Sequence, residues 1–478
     1  MKRINLLVIV ILFNHTLSAQ KWVDTLFQIQ QLGPITYSSA VDFAGNTRNL
    51  SFDLCLPTND TPPPCGRPLL IAIHGGAFFG GNKGIDAPPS WMRDFAKRGY
   101  VTTSIDYRLG LFQTSSEINC NISLTGFPWN CLNMQDTAEW YRAAYRGMQD
   151  AKDVITFLVN NAATYKIDPR NIYLVGESAG GFIAMSTAFL DMPNEKPVQC
   201  GNLSNATPPH LIYENTCIQL YNLDTSIASL QLQRPDLGSI LGTQNPTSTP
   251  YTIKGVGSFY GALFSDVFSQ YNYTKAPVLY MYHQPNDLVV PFDYDRFYAG
   301  AAYCATQWPS NCQWIINRPF IYGSKGIKKM IDNLAGGSIP LPTYILDTTS
   351  NYADCLTQIA NPLLSGHSID TYWTRTLHMA QLFAPTIDTS SMCTPNSLSN
   401  DLVKKSITIY PNPILENILR IQTNETLLDV SIMNLQGSKM PIQYHTAEKF
   451  IDVSQLPKGI YILSLSTKQG QSFYKIIK

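Results

Sequence analysis

Short apolar runs bounded by turn-forming residues recur along most of the chain. Residues 50–57 (LSFDLCLP) alternate, the period of a strand with one buried face. Residues 69–73 (LLIAI), 100–105 (YVTTSI), 171–175 (NIYLV), 277–282 (PVLYMY) and 342–346 (PTYIL) are continuous runs. Such runs suit parallel strands covered on both faces. Helical patterns cover 136–163 and Phe182–Leu190. Strands alternating with helices predict an α/β domain around a mostly parallel sheet flanked by helices. Two stretches break this rhythm. Residues 191–256, rich in Asn, Pro, Thr, Ser and Gln, read as an insertion or lid with short helices. Residues 304–366 read as a second irregular insertion. The composition shifts again near 394–405. Beyond it, 406–410, 418–422, 428–434, 459–466 and 472–477 carry short β patterns, which predicts a small all-β sandwich.

The N-terminus has a different character. Lys2 and Arg3 precede an apolar stretch from Leu6 to Phe13, and Asn14–Ala19 ends in small residues. This is the pattern of a signal peptide over 1–19, cleaved after Ala19. Its apolar stretch is far short of the roughly 20 residues that span a bilayer, and no other stretch approaches that length. The expected division is therefore 1–19, 20–398 and 399–478. Ten cysteines in an exported chain predict disulfides, and their spacing suggests 55–65, 120–131, 200–217, 304–312 and 355–393.

Charge narrows the function. Lys plus Arg is 34 and Asp plus Glu is 34, so no net charge favours nucleic acid or an anionic membrane. No CxxC or His spacing points to a metal, and no cofactor motif is present. Lys83 follows a glycine-rich loop without the phosphate-loop pattern.

The chemistry centres on Gly176–Glu177–Ser178–Ala179–Gly180, a G-x-S-x-G sequence between a buried strand and a helix. That is the setting of a nucleophile elbow, whose strained turn needs flanking glycines. The turn puts the hydroxyl at a helix N-terminus, where orphan amides favour negative charge. A second glycine loop, His74–Gly75–Gly76–Ala77–Phe78–Phe79–Gly80–Gly81, follows an earlier buried strand. Acyl transfer places charge on a carbonyl oxygen, and such a loop can bring backbone amides to it.

HGGAFFGG at 74–81, DYRLG at 106–110 and YKIDPRNIYLVGESAGG at 165–181, in that order, resemble an α/β-hydrolase of the carboxylesterase kind. The likeness covers about 50–190 and mixes type-B and hormone-sensitive-lipase-like features. It implies oxyanion donors at the amides of Gly76, Ala77 and Ala179, and a structural role for His74. It also implies the chain order Ser, Asp or Glu, then His. His283–Gln284–Pro285–Asn286–Asp287–Leu288–Val289–Val290–Pro291 resembles the stretch that carries the acid in many α/β-hydrolases, which makes Asp287 the acid. Glu214 is a weaker alternative in the insertion; Asp293 and Asp295 read as solvated or capping residues on a following helix. The base then comes from His367, His378 or His445. His367, in the turn-like Leu364–Ser365–Gly366–His367–Ser368, is preferred over His378 on a helical stretch; His445 lies in the terminal β unit.

The tail carries its own resemblance. Ile409–Tyr410–Pro411–Asn412–Pro413, Asn434–Leu435–Gln436–Gly437, Leu456–Pro457–Lys458–Gly459–Ile460–Tyr461 and Lys475–Ile476–Ile477–Lys478 are similar to the type A sorting domain of type IX secretion in Bacteroidetes. This implies recognition by that secretion machinery and a secreted or cell-surface protein. Three functions are compatible with these residues. The first is a hydrolase of carboxylic esters, small or polymer-linked, acting through Ser178, His367 and Asp287 and an acyl-enzyme. The second is a serine peptidase of the prolyl-oligopeptidase kind, disfavoured because those enzymes typically use a Tyr donor in place of the HGGA loop. The third is a non-catalytic binding protein on a hydrolase scaffold, disfavoured because every part of a triad is present.

Overall fold

The apolar run around Leu69–Ile73 lies in the middle of an eight-stranded sheet. The computed structural model describes residues 20–110 apart from 44 and 79, 137–206, 232–268 apart from 243, 276–300, 319–349, 353–389 and 407–478 apart from 415, 424–425, 435–437 and 468–469. The signal-peptide expectation and Glu214 lie outside these residues. The described chain forms two compact units, one ending at Asp388 and one beginning at Thr389.

The strands of this sheet, all in the larger unit, are β1 (Gln28–Val41), β2 (Thr47–Thr58), β3 (Arg67–Ile73), β4 (Val101–Ile105), β5 (Ile167–Glu177), β6 (Ile253–Phe259), β7 (Val278–Tyr282) and β8 (Tyr344–Asp347). Their order is β1-β2-β4-β3-β5-β6-β7-β8. The pairs β1–β2 and β2–β4 are antiparallel, and all others are parallel. The principal helices are α1 (Pro88–Lys97), α2 (Thr137–Asn160), α3 (Ala179–Phe189), α4 (Ser324–Leu334) and α5 (Tyr372–Phe383).

Every residue of β3 is buried, because the strand is covered on both sides. The period of two sorts its side chains. Leu69, Ile71 and Ile73, with Ile172 and Leu174 of β5, pack with Ala143, Val154 and Phe182 of α2 and α3. Leu70 and Ala72, with Tyr173 and Val175, pack with Trp91, Phe95, Met379 and Phe383 of α1 and α5. The result is a three-layer sandwich. Each fully buried Leu or Ile contributes roughly 1.5–3 kcal/mol relative to exposure, so the sheet centre is a rigid base for the loops at its carboxyl edge.

Two strands of the eight-stranded sheet escaped the sequence pattern. β1 is an edge strand whose exposed positions include Gln28, Gln30, Gln31, Thr36 and Ser39. β6 begins inside the expected insertion 191–256, and its glycines disguise it. A methyl on Gly257 would lie 2.3 Å from Met379 Sδ, and one on Gly255 would lie 2.7 Å from the Phe383 ring. The glycines let α5 close on the strand, at the expense of the apolar signal. The strand expected at 342–346 is β8, and the region 304–366 is otherwise more regular than expected, because it also contains α4 and the short helix Cys355–Ala360. Asp293 and Asp295 are not on a helix. Tyr294–Arg296 instead pairs antiparallel with Phe320–Tyr322, and Asp293 is ion-paired with Lys325 and Lys329.

Two of the expected disulfides are corrected. Cys55 and Cys200 are free and buried, which removes the pairings 55–65 and 200–217. Cys55 packs with Met92 and Ala96 of α1, and Cys200 with Tyr145, Met148 and Ile240, so each thiol serves as a small apolar filler. Cys65 and Cys355 are disulfide-bonded. Cys120, Cys131, Cys217, Cys304, Cys312 and Cys393 lie outside the described residues.

The smaller unit has two four-stranded sheets. One joins Ile407–Tyr410, Ile418–Thr423, Phe450–Asp452 and Gln443–His445, and the other joins Lys439–Met440, Leu427–Met433, Ile460–Thr467 and Gly470–Ile477. Alternate residues such as Leu419, Ile421, Ile451, Leu463 and Leu465 form its core, the pattern of a β-sandwich.

Candidate active site

Strand β5 ends at Glu177 and α3 begins at Ala179, so Ser178 alone makes the turn. Its φ is 51° and its ψ −123°, a conformation that non-glycine residues avoid. Such strain costs on the order of 1–3 kcal/mol and persists only where the surroundings dictate it. Here Ser178 N–H donates to Phe259 O at 2.9 Å, and Gly181 N–H donates to Ser178 O at 2.9 Å. The flanking glycines permit the turn. A methyl on Gly176 would lie 2.1 Å from Gly180 O, and one on Gly180 would lie 2.1 Å from Ile73 O.

The loop after β3 rests against this turn. A methyl on Gly75 would lie 3.2 Å from Ser178 Cβ. Gly76, Ala77 and Phe78 all have positive φ, and Gly80 N–H closes the loop onto Gly76 O at 2.9 Å. Gly76 is exposed and Ala77 half-buried, while Ala179 is buried at the start of α3. The Phe78 side chain anchors the loop among Trp140, Phe182 and Phe264. His74 is buried and stacked on Tyr107, with Nδ1 2.7 Å from Gly75 O. Burial lowers its pKa, which suits a structural donor rather than a base. The 106–110 motif supports the same loop. Tyr107 OH donates to His74 O at 3.1 Å, and Asp106 accepts both the backbone N–H and the ammonium of Lys83 at 2.8 Å.

The structure brings Ser178, His367 and Asp287 together. His367 Nε2 is 2.9 Å from Ser178 Oγ, and its Nδ1 is 2.7 Å from Asp287 Oδ2. The loops carrying them are tied. A methyl on Gly366 would lie 2.7 Å from Asn286 O. Gln358 Nε2–H donates to Asn286 O at 2.9 Å, and Gly366 N–H donates to Gln358 Oε1 at 2.7 Å. Asp287 is buried, which by itself raises its pKa. The charge and hydrogen bond of His367 and the hydrogen bond of His283 outweigh that and hold the carboxyl well below the usual carboxylate range. Val289 and Val290 N–H also donate to its Oδ1, at 2.7 and 3.1 Å. The other two histidines lie elsewhere: His378 pairs with Asp347 at 2.6 Å, and His445 stacks on Phe450 in the smaller unit.

Sequence reading missed Glu177 and Tyr260. Glu177 fills the variable position of the serine motif, and Tyr260 follows the disguised strand β6. Tyr260 OH donates to Glu177 Oε2 at 2.7 Å and Ala87 N–H to Oε1 at 3.0 Å. The Tyr260 ring lies 4.5 Å from the His367 ring. Burial pushes the Glu177 carboxyl up to about 7 despite both hydrogen bonds. Among the described residues no group of three or more His, Cys, Asp or Glu could hold a metal ion, and no helix is long and apolar enough to cross a membrane.

Residues 52–119 and 126–231 match the BD-FAE family model, and residues 408–478 match the secretion system C-terminal sorting domain. A 144-residue stretch is 30% identical to methylphloroacetophenone synthase of Cladonia uncialis, covering 30% of this chain and 5% of that protein. A 135-residue stretch is 33% identical to a probable isoprenylcysteine alpha-carbonyl methylesterase of Oryza sativa subsp. japonica, covering 28% of this chain and 24% of that protein. Esterase B1 of Culex pipiens is 24% identical over 197 residues, covering 40% of this chain and 32% of that protein. This chain thus spans a third or less of the length of each of these relatives. The larger unit is thus similar to esterases over part of its length, and the smaller unit is similar to secretion sorting domains.

Glu177 makes stability depend on pH. Its folded pKa of about 7 exceeds the ordinary 4.5, so between these values the folded chain keeps a proton that the unfolded chain has lost. Stability therefore falls as pH rises through that window. Glu177→Gln keeps one acceptor for Ala87 and removes the charge. It is expected to raise Tm by about 2–4 °C over wild type at pH 8 and to leave it unchanged at pH 4.5. Equal shifts at both values in calorimetry would contradict the assignment.

Proposed function

We propose that the chain is an exported serine hydrolase of carboxylic esters that works through an acyl-enzyme on Ser178. The observation that carries this is the continuous hydrogen-bonded line Ser178–His367–Asp287, ending on a strained turn at a helix N-terminus. A free serine hydroxyl is a weak nucleophile and needs an adjacent base. His367 Nε2 accepts the Ser178 proton as Oγ attacks the ester carbonyl. Asp287 accepts from Nδ1, fixes the tautomer and stabilises the imidazolium that forms. The developing oxyanion is received by the amides of Gly76, Ala77 and Ala179, and losing one such donor typically costs about 10²–10³ in kcat. His367 then gives its proton to the leaving alcohol, and water, activated by the same base, releases the acid. The methylesterase and Esterase B1 among the relatives support an ester over an amide. Removal of residues 1–19 and recognition of the terminal sandwich by a type IX system complete the reading, supported by the sorting-domain match.

Ser178→Ala and His367→Ala are each expected to lower kcat for p-nitrophenyl acetate by about 10⁴ or more, while His378→Ala stays within twofold of wild type. Near-wild-type turnover by His367→Ala would sink the base assignment. In a host with the type IX machinery, deleting residues 408–478 should leave the protein in the cells. Undiminished export of the deletion would overturn the sorting role.

A further inference from the structure

The acid of the site has a second histidine on it. His283 is fully buried at the end of β7, four residues before Asp287. Its Nε2 lies 3.2 Å from Asp287 Oδ2, the same oxygen that faces His367, and 3.0 Å from Val290 O. Its Nδ1 lies 3.1 Å from Ser324 Oγ and 3.4 Å from the Ser324 amide nitrogen, at the first residue of α4. These neighbours decide the tautomer. A carbonyl and a carboxylate can only accept, so Nε2 carries the hydrogen. A backbone amide can only donate, so Nδ1 presents its lone pair. The Phe292 ring meets the imidazole edge-on at 5.5 Å, and His283 N–H donates to Asp347 O at 3.1 Å. The ring therefore has one orientation and one tautomer.

Resting on the triad reading above, we propose that His283 is a positioning residue that acts through Asp287. Four N–H groups face the buried carboxylate: Val289 and Val290 N–H donate to Oδ1, His367 Nδ1–H donates to Oδ2, and His283 Nε2–H, which donates to Val290 O at 3.0 Å, is shared with Oδ2 at 3.2 Å. The two amides belong to the acid's own loop, whereas His283 ties the carboxylate to β7 and α4. The line that ends at Ser178 thus begins at the helix amide of Ser324 and runs through His283, Asp287 and His367. Without His283, Oδ2 loses the partner opposite His367, and the aim of the carboxylate at Nδ1 loosens. Substrate never meets His283, so its loss acts on kcat and leaves KM alone.

Turnover of p-nitrophenyl acetate by the full chain tests this. His283→Leu is expected to lower kcat about 10- to 100-fold, with KM within twofold. His283→Gln places a donor near the position of the lost Nε2 and should recover most of that loss. His283→Asn, whose donor stops one atom short, should not. In an Asp287→Ala background, His283→Leu should cost nothing more, because its route to the serine is already cut. An equal loss in both backgrounds, or equal activity of the Gln and Asn variants, would overturn the proposal. The Gln and Asn pair decides the matter even if the Leu variant does not fold. Failure of the triad reading looks different: Asp287→Ala alone would then turn over like wild type.

Discussion

The carboxyl edge of the sheet depends on one close approach, that of α3 to strands β3 and β5 at the turn through Ser178. Gly180 packs on the backbone of Ile73 and His74, and Gly176 packs on Gly180, at separations that exclude any side chain. This contact sets the helix start, and the helix start forces Ser178 into its positive φ. The same contact brings the loop after β3 alongside the serine. Strain at Ser178 is thus imposed by backbone packing that the apolar core on both faces of the sheet keeps rigid.

The second requirement is electrostatic. A carboxylate buried like Asp287 is unfavourable unless it is paired and hydrogen-bonded. The fold surrounds it with amides from its own loop and with two imidazoles, and the balance keeps it ionised. Glu177, one residue from the serine, shows the opposite outcome. It is equally buried but has only a tyrosine hydroxyl and one amide, and its pKa rises. Two carboxyls near one site are therefore shifted in opposite directions by their surroundings.

The parts of this arrangement legible in the sequence were those where backbone geometry dictates residue type. Gly176, Gly180, Gly76 and Gly81 are demanded by close approach, so they stand out as motifs. Asp287 was legible because the Val–Val segment after it supplies the amides that its carboxylate accepts. His367 was legible through Gly366, which lets its loop touch Asn286. What stayed hidden depends on partners distant in sequence. β6 has glycines where α5 packs against it, so its pattern is too weak to mark a strand. His283 looks like an ordinary strand-end residue until α4 arrives with Ser324. Cys55 looks like half of a short disulfide until α1 is seen to cover it with Met92 and Ala96.

The central claim is that Ser178 is an activated nucleophile. Labelling of the folded protein with a fluorophosphonate, read by intact mass and peptide mapping, tests it without any assumption about substrate. The account predicts one adduct, on Ser178, and none on Ser178→Ala. A folded wild-type protein that takes no adduct, or a Ser178→Ala variant that takes one equally well, would contradict it.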